Sequence, residues 1–393
     1  MVLRLELRQH VGAPCAPVVA VGDHVKKGQR IAEPTGLGAN IHSSVYGTVK
    51  EITETSIFIE ADEEQPEEFV KIKETDSYLE AIQEAGVVGA GGAGFPAHVK
   101  YKGDIEGGYV IVNAAECEPI LAHNITYLES HAEDIVRGLG YLVELTKAAK
   151  GYIAIKPHHT KALLALGKAC KDIDNIEIKY LPNMYPAGDE RVIVREILGV
   201  ELEPGRLPSV AKAIISNVET VKNVVAAIEE RKPVISKDLT VAGRVKDDDA
   251  KEGKVFLDVP LGLPISYFID KCGGIDEPYG EIVVGGPFTG KHGELDAPVV
   301  KTLGGIIVSM PLMKEKRKLG IIACECGAQE PRLHQIADQM DAEIVAEERC
   351  KRMVEVNGRY RCELPGQCPG QAETVLKLKK AGAEALLISN CED

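Results

Sequence analysis

Features that mark several other classes of protein are missing from this sequence. No run of residues approaches the ~18–20 apolar residues that a membrane-spanning helix needs. The first residues, Met1–Arg8, alternate like a β-strand and lack the apolar stretch of a signal peptide. Basic residues are in deficit, 46 against 60 acidic ones, so the formal net charge is −14, which argues against nucleic acid as a partner. These absences predict a cytoplasmic protein that is not embedded in a membrane.

Aromatic residues are scarce at 5%, and tryptophan is absent, whereas glycine is abundant with 39 residues. A glycine-rich, aromatic-poor chain is typical of α/β proteins in which the backbone closely approaches a nucleotide. In a reducing cytoplasm, the ten cysteines are expected to be thiols, redox groups or metal ligands rather than structural disulfides. Six of them crowd into the last 70 residues: Cys324, Cys326, Cys350, Cys362, Cys368 and Cys391.

The length of 393 residues predicts a multidomain α/β protein, and its patterns predict four domains. Residues 1–70 have the short strands and turns of a lipoyl-like barrel-sandwich hybrid. Gly36–Gly38 stands where a carrier domain presents its modifiable lysine, so this domain is predicted to be a scaffold. Residues 71–235 alternate strand and helix, which predicts a Rossmann-like parallel sheet covered on both faces. Residues 236–316 suggest a small β-grasp domain, and residues 317–393 a cysteine-rich α/β module.

One candidate binding segment is rich in glycine. Gly86–Pro96 holds five glycines within nine residues, so its backbone N–H groups can approach a phosphate or a flat ring. A following helix would add the positive end of its dipole. A Walker loop is excluded because no Gly-Lys-Ser/Thr follows. Taken alone, the segment is equally typical of a flexible loop or a tight strand-to-helix turn.

Three polar segments carry further candidate ligands: Asn113–Pro119, Tyr185–Glu190 and Ser216–Thr220. The first follows a buried strand run, Tyr109–Val112, and ligands bind at the carboxyl ends of strands in open α/β sheets. Carboxylate and amide groups placed there could hydrogen-bond a flavin ring or a ribose. Individually, each segment is also typical of a helix cap or a solvated turn.

Together and in this order, the four segments resemble those of the RnfC family and of the flavin subunit of respiratory complex I. The resemblance covers roughly residues 1–315, including the β-grasp domain, which corresponds to the soluble-ligand-binding (SLBB) domain. It implies an NADH-dependent oxidoreductase with FMN as cofactor. It further implies that Gly89, Gly91, Gly92 and Lys100 hold the FMN, that Asn113, Glu116, Tyr185, Asp189 and Asn217 line it, and that Phe95, Glu118 and Glu190 face the nicotinamide nucleotide.

The sequence departs from these families at three points. The flavin subunit of complex I has a basic residue where Ala90 stands, and its dinucleotide-stacking aromatic has no counterpart around Gly103. The ferredoxin run Cys-x-x-Cys-x-x-Cys-x-x-x-Cys-Pro, which RnfC proteins carry, is absent. The next electron carrier after the flavin is therefore expected to differ from that of RnfC.

The clustered cysteines are the predicted replacement for that carrier. If the strands of the last module are parallel, Cys324, Cys326, Cys350 and Cys391 emerge at one sheet edge. Cys362 and Cys368 are predicted to lie in a loop that folds over this edge. Thiol–disulfide exchange with reduced flavin is one chemistry that fits, an iron–sulfur cluster held by four of the six is another, and an inert zinc site is a third.

A narrower resemblance is to the RnfC-like electron-transfer proteins associated with D-proline reductase, which lack ferredoxin domains and include selenoproteins. The sequence stops at Asn390-Cys-Glu-Asp393, one residue short of a Cys-x-x-Cys pattern, so a native chain is expected to continue with cysteine or selenocysteine. This resemblance implies electron flow from NADH through flavin and a thiol or selenol to a partner reductase. Two alternatives are an RnfC-type subunit with an iron–sulfur centre and a non-enzymatic ligand-binding scaffold with structural zinc.

Overall fold

The computed structural model describes residues 1–92 and 94–390. The first region of the chain contains two small antiparallel sheets, formed by strands within residues 2–61. Their strands run in the orders β1-β7-β6-β3 and β2-β4-β5. The strands are β1 (Val2–Glu6), β2 (Cys15–Pro17), β3 (His24–Val25), β4 (Arg30–Pro34), β5 (Ile41–His42), β6 (Gly47–Ile52) and β7 (Ser56–Ala61). Alternate residues such as Leu3, Leu5, Ile57 and Ile59 are buried between the sheets, as expected for strands with one face on a core.

The second region contains a fully parallel sheet of order β10-β9-β8-β11. Its elements are α1 (Tyr78–Glu84), α2 (Ala97–Lys100), β8 (Tyr109–Ala114), α3 (His123–Thr146), β9 (Lys150–Ile155), α4 (Thr160–Ala169), β10 (Ile176–Tyr180), α5 (Glu190–Leu198), a 3-10 helix (Pro208–Ala211), β11 (Ala213–Asn217), α6 (Val218–Val225) and a π-helical turn (Ala226–Glu230). One face of the sheet packs against α3, α4 and α6, and the other against α5.

Two helices of this region differ from expectation. Helical periodicity in the sequence begins at Ala132, but α3 begins at His123, and the backbone of His131 (φ −129°) breaks its helical geometry. The periodic residues from Ala132 onward therefore form only the second segment of α3. The helix expected after the glycine-rich segment is a single four-residue turn, α2. A helix this short adds little dipole, so ligand contacts there must come from loop N–H groups and side chains.

The third region holds a five-stranded mixed sheet of order β13-β12-β16-β14-β15. Its elements are β12 (Ser236–Gly243), α7 (Asp248–Lys251), β13 (Lys254–Pro260), α8 (Ile265–Lys271), β14 (Ile282–Val284), β15 (Lys291–Gly293) and β16 (Gly305–Val308). The helix α8 buries Ile265, Phe268 and Ile269 against this sheet. The central pair, β12 and β16, is parallel, whereas the other pairs are antiparallel.

The last region is a three-stranded parallel sheet of order β18-β17-β21 with a separate hairpin. Its elements are β17 (Leu319–Ala323), α9 (Glu330–Gln339), β18 (Ile344–Arg349), β19 (Met353–Val356), β20 (Arg359–Cys362), α10 (Ala372–Lys380) and β21 (Ala385–Ile388). The loop predicted around Cys362 is wrong, because this residue ends β20 of the hairpin. The turn, Asn357-Gly358, has two positive φ angles (51° and 74°), as a two-residue hairpin turn requires.

Among the helices that the structure describes, none has the length and apolar character to cross a lipid bilayer.

Candidate flavin site and thiol edge

The carboxyl ends of β8 and β11 bring two asparagines together. Asn113 and Asn217 are directly opposite each other in the parallel register. Asn217 caps α6, since its side-chain oxygen accepts a hydrogen bond from the N–H of Glu219 at 2.9 Å. The amide group of Asn113 donates to the carbonyl of Gly188 at 3.0 Å. Both side chains are therefore held in place at the strand ends, where the sequence predicted flavin contacts.

The glycine-rich loop lies against this pair. The N–H of Ala90 donates to the hydroxyl of Thr220 at 3.0 Å, which ties the loop to α6. A Cβ atom added to Gly91 would lie 2.7 Å from the amide nitrogen of Asn217, whereas one added to Gly92 would meet nothing within 4 Å. Gly91 therefore permits close packing of the loop, and Gly92 borders open space. A backbone cradle beside an open space fits a flat ring or a phosphate group.

Charged residues complete this side of the site. Lys100, at the end of α2, forms a 2.7 Å ion pair with Glu190 in the first turn of α5. Asp189 caps α5 by accepting the N–H groups of Arg191 and Val192 at 2.8 and 3.4 Å. Burial raises the pKa of Asp189. The structure thus brings the predicted residues Lys100, Asp189 and Glu190 together, and Phe95 remains exposed on the glycine-rich loop.

Two predicted ligands, Glu116 and Glu118, accept hydrogen bonds from backbone N–H groups of the protein. Glu116 accepts the N–H of Asn124 at the start of α3, and burial raises the pKa of Glu116 to about 7. Glu118 accepts the N–H groups of Phe288 and Thr289 at 2.8 and 3.0 Å, which joins the second region to the third. Their contacts with flavin and nicotinamide stay predictions.

Residues outside the predicted motifs hold the start of the glycine-rich loop. The buried amine of Lys301 donates to the carbonyl of Gly86 at 2.8 Å and to that of Asn40 at 2.7 Å. The N–H of Lys301 donates to the side chain of Gln9 at 3.1 Å. Burial lowers the pKa of Lys301 to about 7. Sequence reasoning missed these residues because they lie more than 200 positions from the loop or in another region.

The second site is an edge of thiols in the last region. Cys324 directly follows β17, and Cys350 directly follows β18, at the same edge of the parallel sheet. Hydrogen bonds connect the thiol of Cys324 with those of Cys326 and Cys350, and the thiol of Cys326 with that of Cys362. Four thiols therefore form a chain in the order Cys350, Cys324, Cys326, Cys362. Cys391, which was predicted to join them, lies outside the described residues.

The hydrogen bonds divide the protons unequally along this chain. Those from Cys326 and Cys350 lower the pKa of Cys324, so Cys324 is the preferred thiolate. The hydrogen bond from Cys326 and the nearby Arg191 lower the pKa of Cys362. The shared hydrogen bonds raise the pKa of both donors, Cys326 and Cys350. Within residues 1–92 and 94–390, no group of three or more His, Cys, Asp or Glu is arranged to hold a metal ion.

One helix connects the two sites. Arg191, in the first turn of α5, donates to the carbonyl of Cys362 at 2.7 Å and pairs with Glu325 at 3.4 Å. Tyr185, just before α5, donates its hydroxyl to the carbonyl of Cys326. Tyr185 was predicted to bind cofactor, and here its hydroxyl contacts the thiol edge. Nothing in the sequence marked Arg191, although it directly follows Asp189 and Glu190.

Comparison with known proteins identifies the family. Residues 82–226 match the Nuo51 FMN-binding domain, and residues 2–75 match the RnfC barrel sandwich hybrid domain. A component of the Na(+)-translocating ferredoxin:NAD(+) oxidoreductase complex of Acetobacterium woodii is 33% identical over 330 residues, which are 79% of this chain and 73% of the relative. Its proton-translocating counterpart from Clostridium ljungdahlii is 34% identical over 77% of this chain and 69% of the relative. The chain belongs to the RnfC family.

Two further matches cover less of this chain and of their own length. The cobalamin reductase PduS of Salmonella typhimurium is 38% identical over 61% of this chain, but only 52% of PduS is covered. An NAD+-reducing [NiFe]-hydrogenase superposes with a TM-score of 0.50 at 21% identity over 60% of this chain and 46% of that chain, which shows the fold alone. The predicted oxidoreductase class, the barrel-sandwich domain and the FMN-binding domain are thus confirmed for this RnfC-family chain.

Proposed function

We propose that this RnfC-family protein passes electrons from NADH through FMN to its C-terminal thiols and from there to a partner reductase. NADH as the donor agrees with the names of the relatives, which are components of ferredoxin:NAD(+) oxidoreductase complexes. The narrower resemblance seen in the sequence favours D-proline reductase as the partner. The thiol or selenol outlet and this partner are the parts of the proposal that need direct tests.

The observation that carries the proposal is the position of α5. Its N-terminus provides Asp189 and Glu190 to the flavin side, while Arg191 contacts the carbonyl of Cys362 on the thiol edge. A path from one site to the other therefore crosses a single helical turn. A scaffold without redox activity would not need a connection between the flavin site and the thiol edge.

On the flavin side, the chain's own residues bind and orient. The loop N–H groups around Gly91 and Gly92, the amides of Asn113 and Asn217 and the cation of Lys100 would hold FMN, which supplies two-electron chemistry between NADH and a disulfide when bound. The glycines let the backbone approach the cofactor, and Lys100 balances an anionic group. Glu190, paired with Lys100, can orient the nicotinamide nucleotide.

On the thiol side, the chain supplies a reducible pair and controls its protons. A disulfide between two of the clustered thiols takes up two electrons and two protons to become a dithiol. The hydrogen bonds at Cys324 keep it as a thiolate, which is the nucleophilic form in thiol–disulfide exchange. Cys326 and Cys350 then hold the protons.

The test is a visible absorption spectrum of anaerobically purified protein before and after NADH, with iron and acid-labile sulfide measured on the same sample. Flavin bands that bleach on NADH addition, with neither iron nor sulfide, would support the relay. A broad iron–sulfur absorption with stoichiometric iron would favour the RnfC-type subunit with a cluster on the cysteines. A colourless protein that takes up no added FMN would overturn the proposal.

A further inference from the structure

The thiols of the last region differ in their access to solvent. Cys324, Cys350 and Cys362 are buried, Cys326 is half-buried, and Cys368 is exposed. A partner protein can reach an exposed sulfur but not a buried one. Thiol–disulfide exchange with a partner therefore has to begin at the exposed end of the cluster.

Cys326 and Cys368 face the same small cavity. This cavity has a volume of about 80 Å³ and is lined by Met184, Tyr185, Pro186, Cys326, Gly366, Cys368 and Asn390. Residues 184–186 belong to the second region, and the others belong to the last region. The cavity thus lies where the two regions meet, beside the α5 contact that connects flavin side and thiol edge.

The loop that carries Cys368 is fixed on one side and has room to adjust on the other. Arg195 of α5 donates to the carbonyl of Pro365 at 2.8 Å. Gly366 (φ 77°) packs so closely that an added Cβ would overlap the methyl group of Met184. Gly370 (φ 72°) follows Cys368 and has open space around it. The contacts of Pro365 and Gly366 hold Cys368 beside the cavity. The open space around Gly370 lets the backbone next to Cys368 move, so that the two sulfurs can reach the geometry of a disulfide.

We propose that Cys326 and Cys368 are the exchanging pair of this protein, with Cys368 as the thiol that attacks a disulfide of the partner and Cys326 as the thiol that resolves the mixed disulfide. This inference rests on the proposed function, and it names the outlet that the relay would use. The substrate class is an exposed disulfide, because a cavity of about 80 Å³ takes a single side chain rather than a cofactor.

The exchange balances in two steps. The Cys368 thiolate attacks one sulfur of the partner disulfide, forming an S–S bond to Cys368 and releasing the partner's first thiolate. Cys326 then passes its proton to the thiolate of Cys324 through their hydrogen bond. The sulfur of Cys326 attacks the sulfur of Cys368, forming the Cys326–Cys368 disulfide and releasing the second thiolate. The partner gains two electrons and two protons, and this chain loses them. The hydride of NADH supplies two electrons and one proton through the relay, and solvent supplies the second proton, which together restore the dithiol.

The hydrogen-bonded chain gives Cys326 a connection to the buried thiols. Its sulfur is hydrogen-bonded to Cys324 on one side and to Cys362 on the other. The carbonyl of Cys326 is held by Tyr185. Cys326 is therefore the member of the chain that both reaches the cavity and contacts the buried thiolates that would re-reduce it.

The experiment uses the full chain after chemical reduction and anaerobic desalting, without NADH, so that its result does not depend on the relay. The reduced protein is treated with one equivalent of glutathione disulfide or of insulin, as small and protein disulfides, and free thiols are then blocked with N-ethylmaleimide. Digestion with trypsin and a glutamate-specific protease separates Cys324 from Cys326 at Glu325 and Cys362 from Cys368 at Glu363.

We expect the wild-type protein to form one internal disulfide that joins peptides 326–332 and 364–373. Cys326→Ser should accumulate a mixed disulfide on Cys368, and Cys368→Ser should react at least tenfold more slowly. Cys170→Ser, a half-buried thiol at the end of α4, is the matched control and should behave like wild type. The faster of the two probes shows whether a small or a protein disulfide is preferred.

A wild-type disulfide between other cysteines, or a mixed disulfide that forms on another cysteine in Cys326→Ser, would overturn the assignment. If Cys326→Ser fails to fold, acid quenching of the wild-type reaction within seconds should still trap the transient mixed disulfide on Cys368. If this trapping succeeds but NADH produces no thiols in the FMN-loaded protein, the relay is wrong and the exchanging pair stands. If NADH produces thiols but no mixed disulfide is trapped on Cys368, the exchanging pair is wrong and the relay stands.

Discussion

In both parallel sheets, that of the second region and that of the last region, the candidate site lies at the carboxyl ends of the strands. The two sites are built from different chemical groups. At β8 and β11 the site consists of glycine backbone and capped amides, and Lys301 and Gln9 from two other regions hold its loop. At β17 and β18 it consists of thiol side chains on a sheet whose small hydrophobic cluster contains the buried residues Ile321, Ala323 and Leu333.

This difference teaches what each site depends on. The flavin cradle is an assembly of several regions, so changes far away in the sequence should disturb it. The thiol edge depends on local side chains and on a few contacts with α5. The two sites should therefore fail separately when either set of contacts is removed, and each of the following variants tests that separation.

The largest effect is expected from Gly91→Ala. The added Cβ would lie 2.7 Å from the amide of Asn217, so the loop must move away from the strand ends. We expect the dissociation constant of FMN to rise about 100-fold, corresponding to roughly 2.7 kcal/mol. Flavin fluorescence titration measures this change, and alkylation of the C-terminal thiols should stay at the wild-type rate.

Gly92→Ala is the matched control, because its added Cβ meets no protein atom within 4 Å. It should leave the melting temperature of the FMN-free protein unchanged and should weaken FMN binding only if the ligand occupies that space. Equal loss of apoprotein stability in both variants would contradict the role assigned to Gly91.

The next effect concerns Lys301 and depends on pH. Its pKa is lowered from 10.5 to about 7 in the folded protein, so between these values the unfolded chain holds a proton that the folded chain lacks. The contribution of Lys301 to the free energy of unfolding should therefore increase with pH, by about 1.4 kcal/mol per pH unit. Denaturation of wild type and Lys301→Met between pH 7.5 and 9 measures this difference. Lys316→Met, with an exposed side chain, should show no such slope.

A smaller effect should separate electron transfer from flavin reduction. Arg191→Met removes the contacts with Cys362 and Glu325 but leaves the cap of α5 on Asp189 intact. We expect NADH to bleach the flavin at the wild-type rate, while thiols appear about tenfold more slowly, a loss of roughly 1.4 kcal/mol. Arg206→Met, whose side chain is exposed, is the control. A slower bleaching step in Arg191→Met would place Arg191 in the flavin site instead.

The smallest effect is expected from Tyr185→Phe, which removes the hydroxyl that donates to the carbonyl of Cys326. A single neutral hydrogen bond contributes about 1 kcal/mol, so thiol exchange should slow by a factor of about five. Stopped-flow exchange with a disulfide reagent measures it, with Tyr180→Phe as an exposed control. An FMN affinity that falls while exchange is unchanged would instead support a cofactor role for Tyr185.

Local patterns predicted most of the fold. The strand and helix spans of the parallel sheet follow from apolar runs and periodicity, and the parallel order of β17, β18 and β21 follows from their alternation with helices. The sequence also contains a signal for the hairpin, because Asn357-Gly358 stands between its two strands and Asn-Gly favours a two-residue turn. The break at His131 was not predictable, since no proline or glycine marks it.

The candidate site was predicted in its parts but not in its connections. Family motifs located Gly91, Asn113 and Asn217, because their roles depend on backbone geometry that a short motif encodes. The contacts of Lys301 with Gly86 and of Arg191 with Cys362 join residues that are about 170 to 215 positions apart. Such contacts depend on how the regions pack, which no local pattern records.

The most direct test of the relay is to count thiols in oxidised, FMN-loaded protein before and after an anaerobic addition of one equivalent of NADH. We predict that the flavin returns to its oxidised spectrum and that two additional thiols become reactive under denaturing conditions for each NADH consumed. Flavin that stays bleached while the thiol count does not change would contradict transfer from the flavin to the C-terminal cysteines.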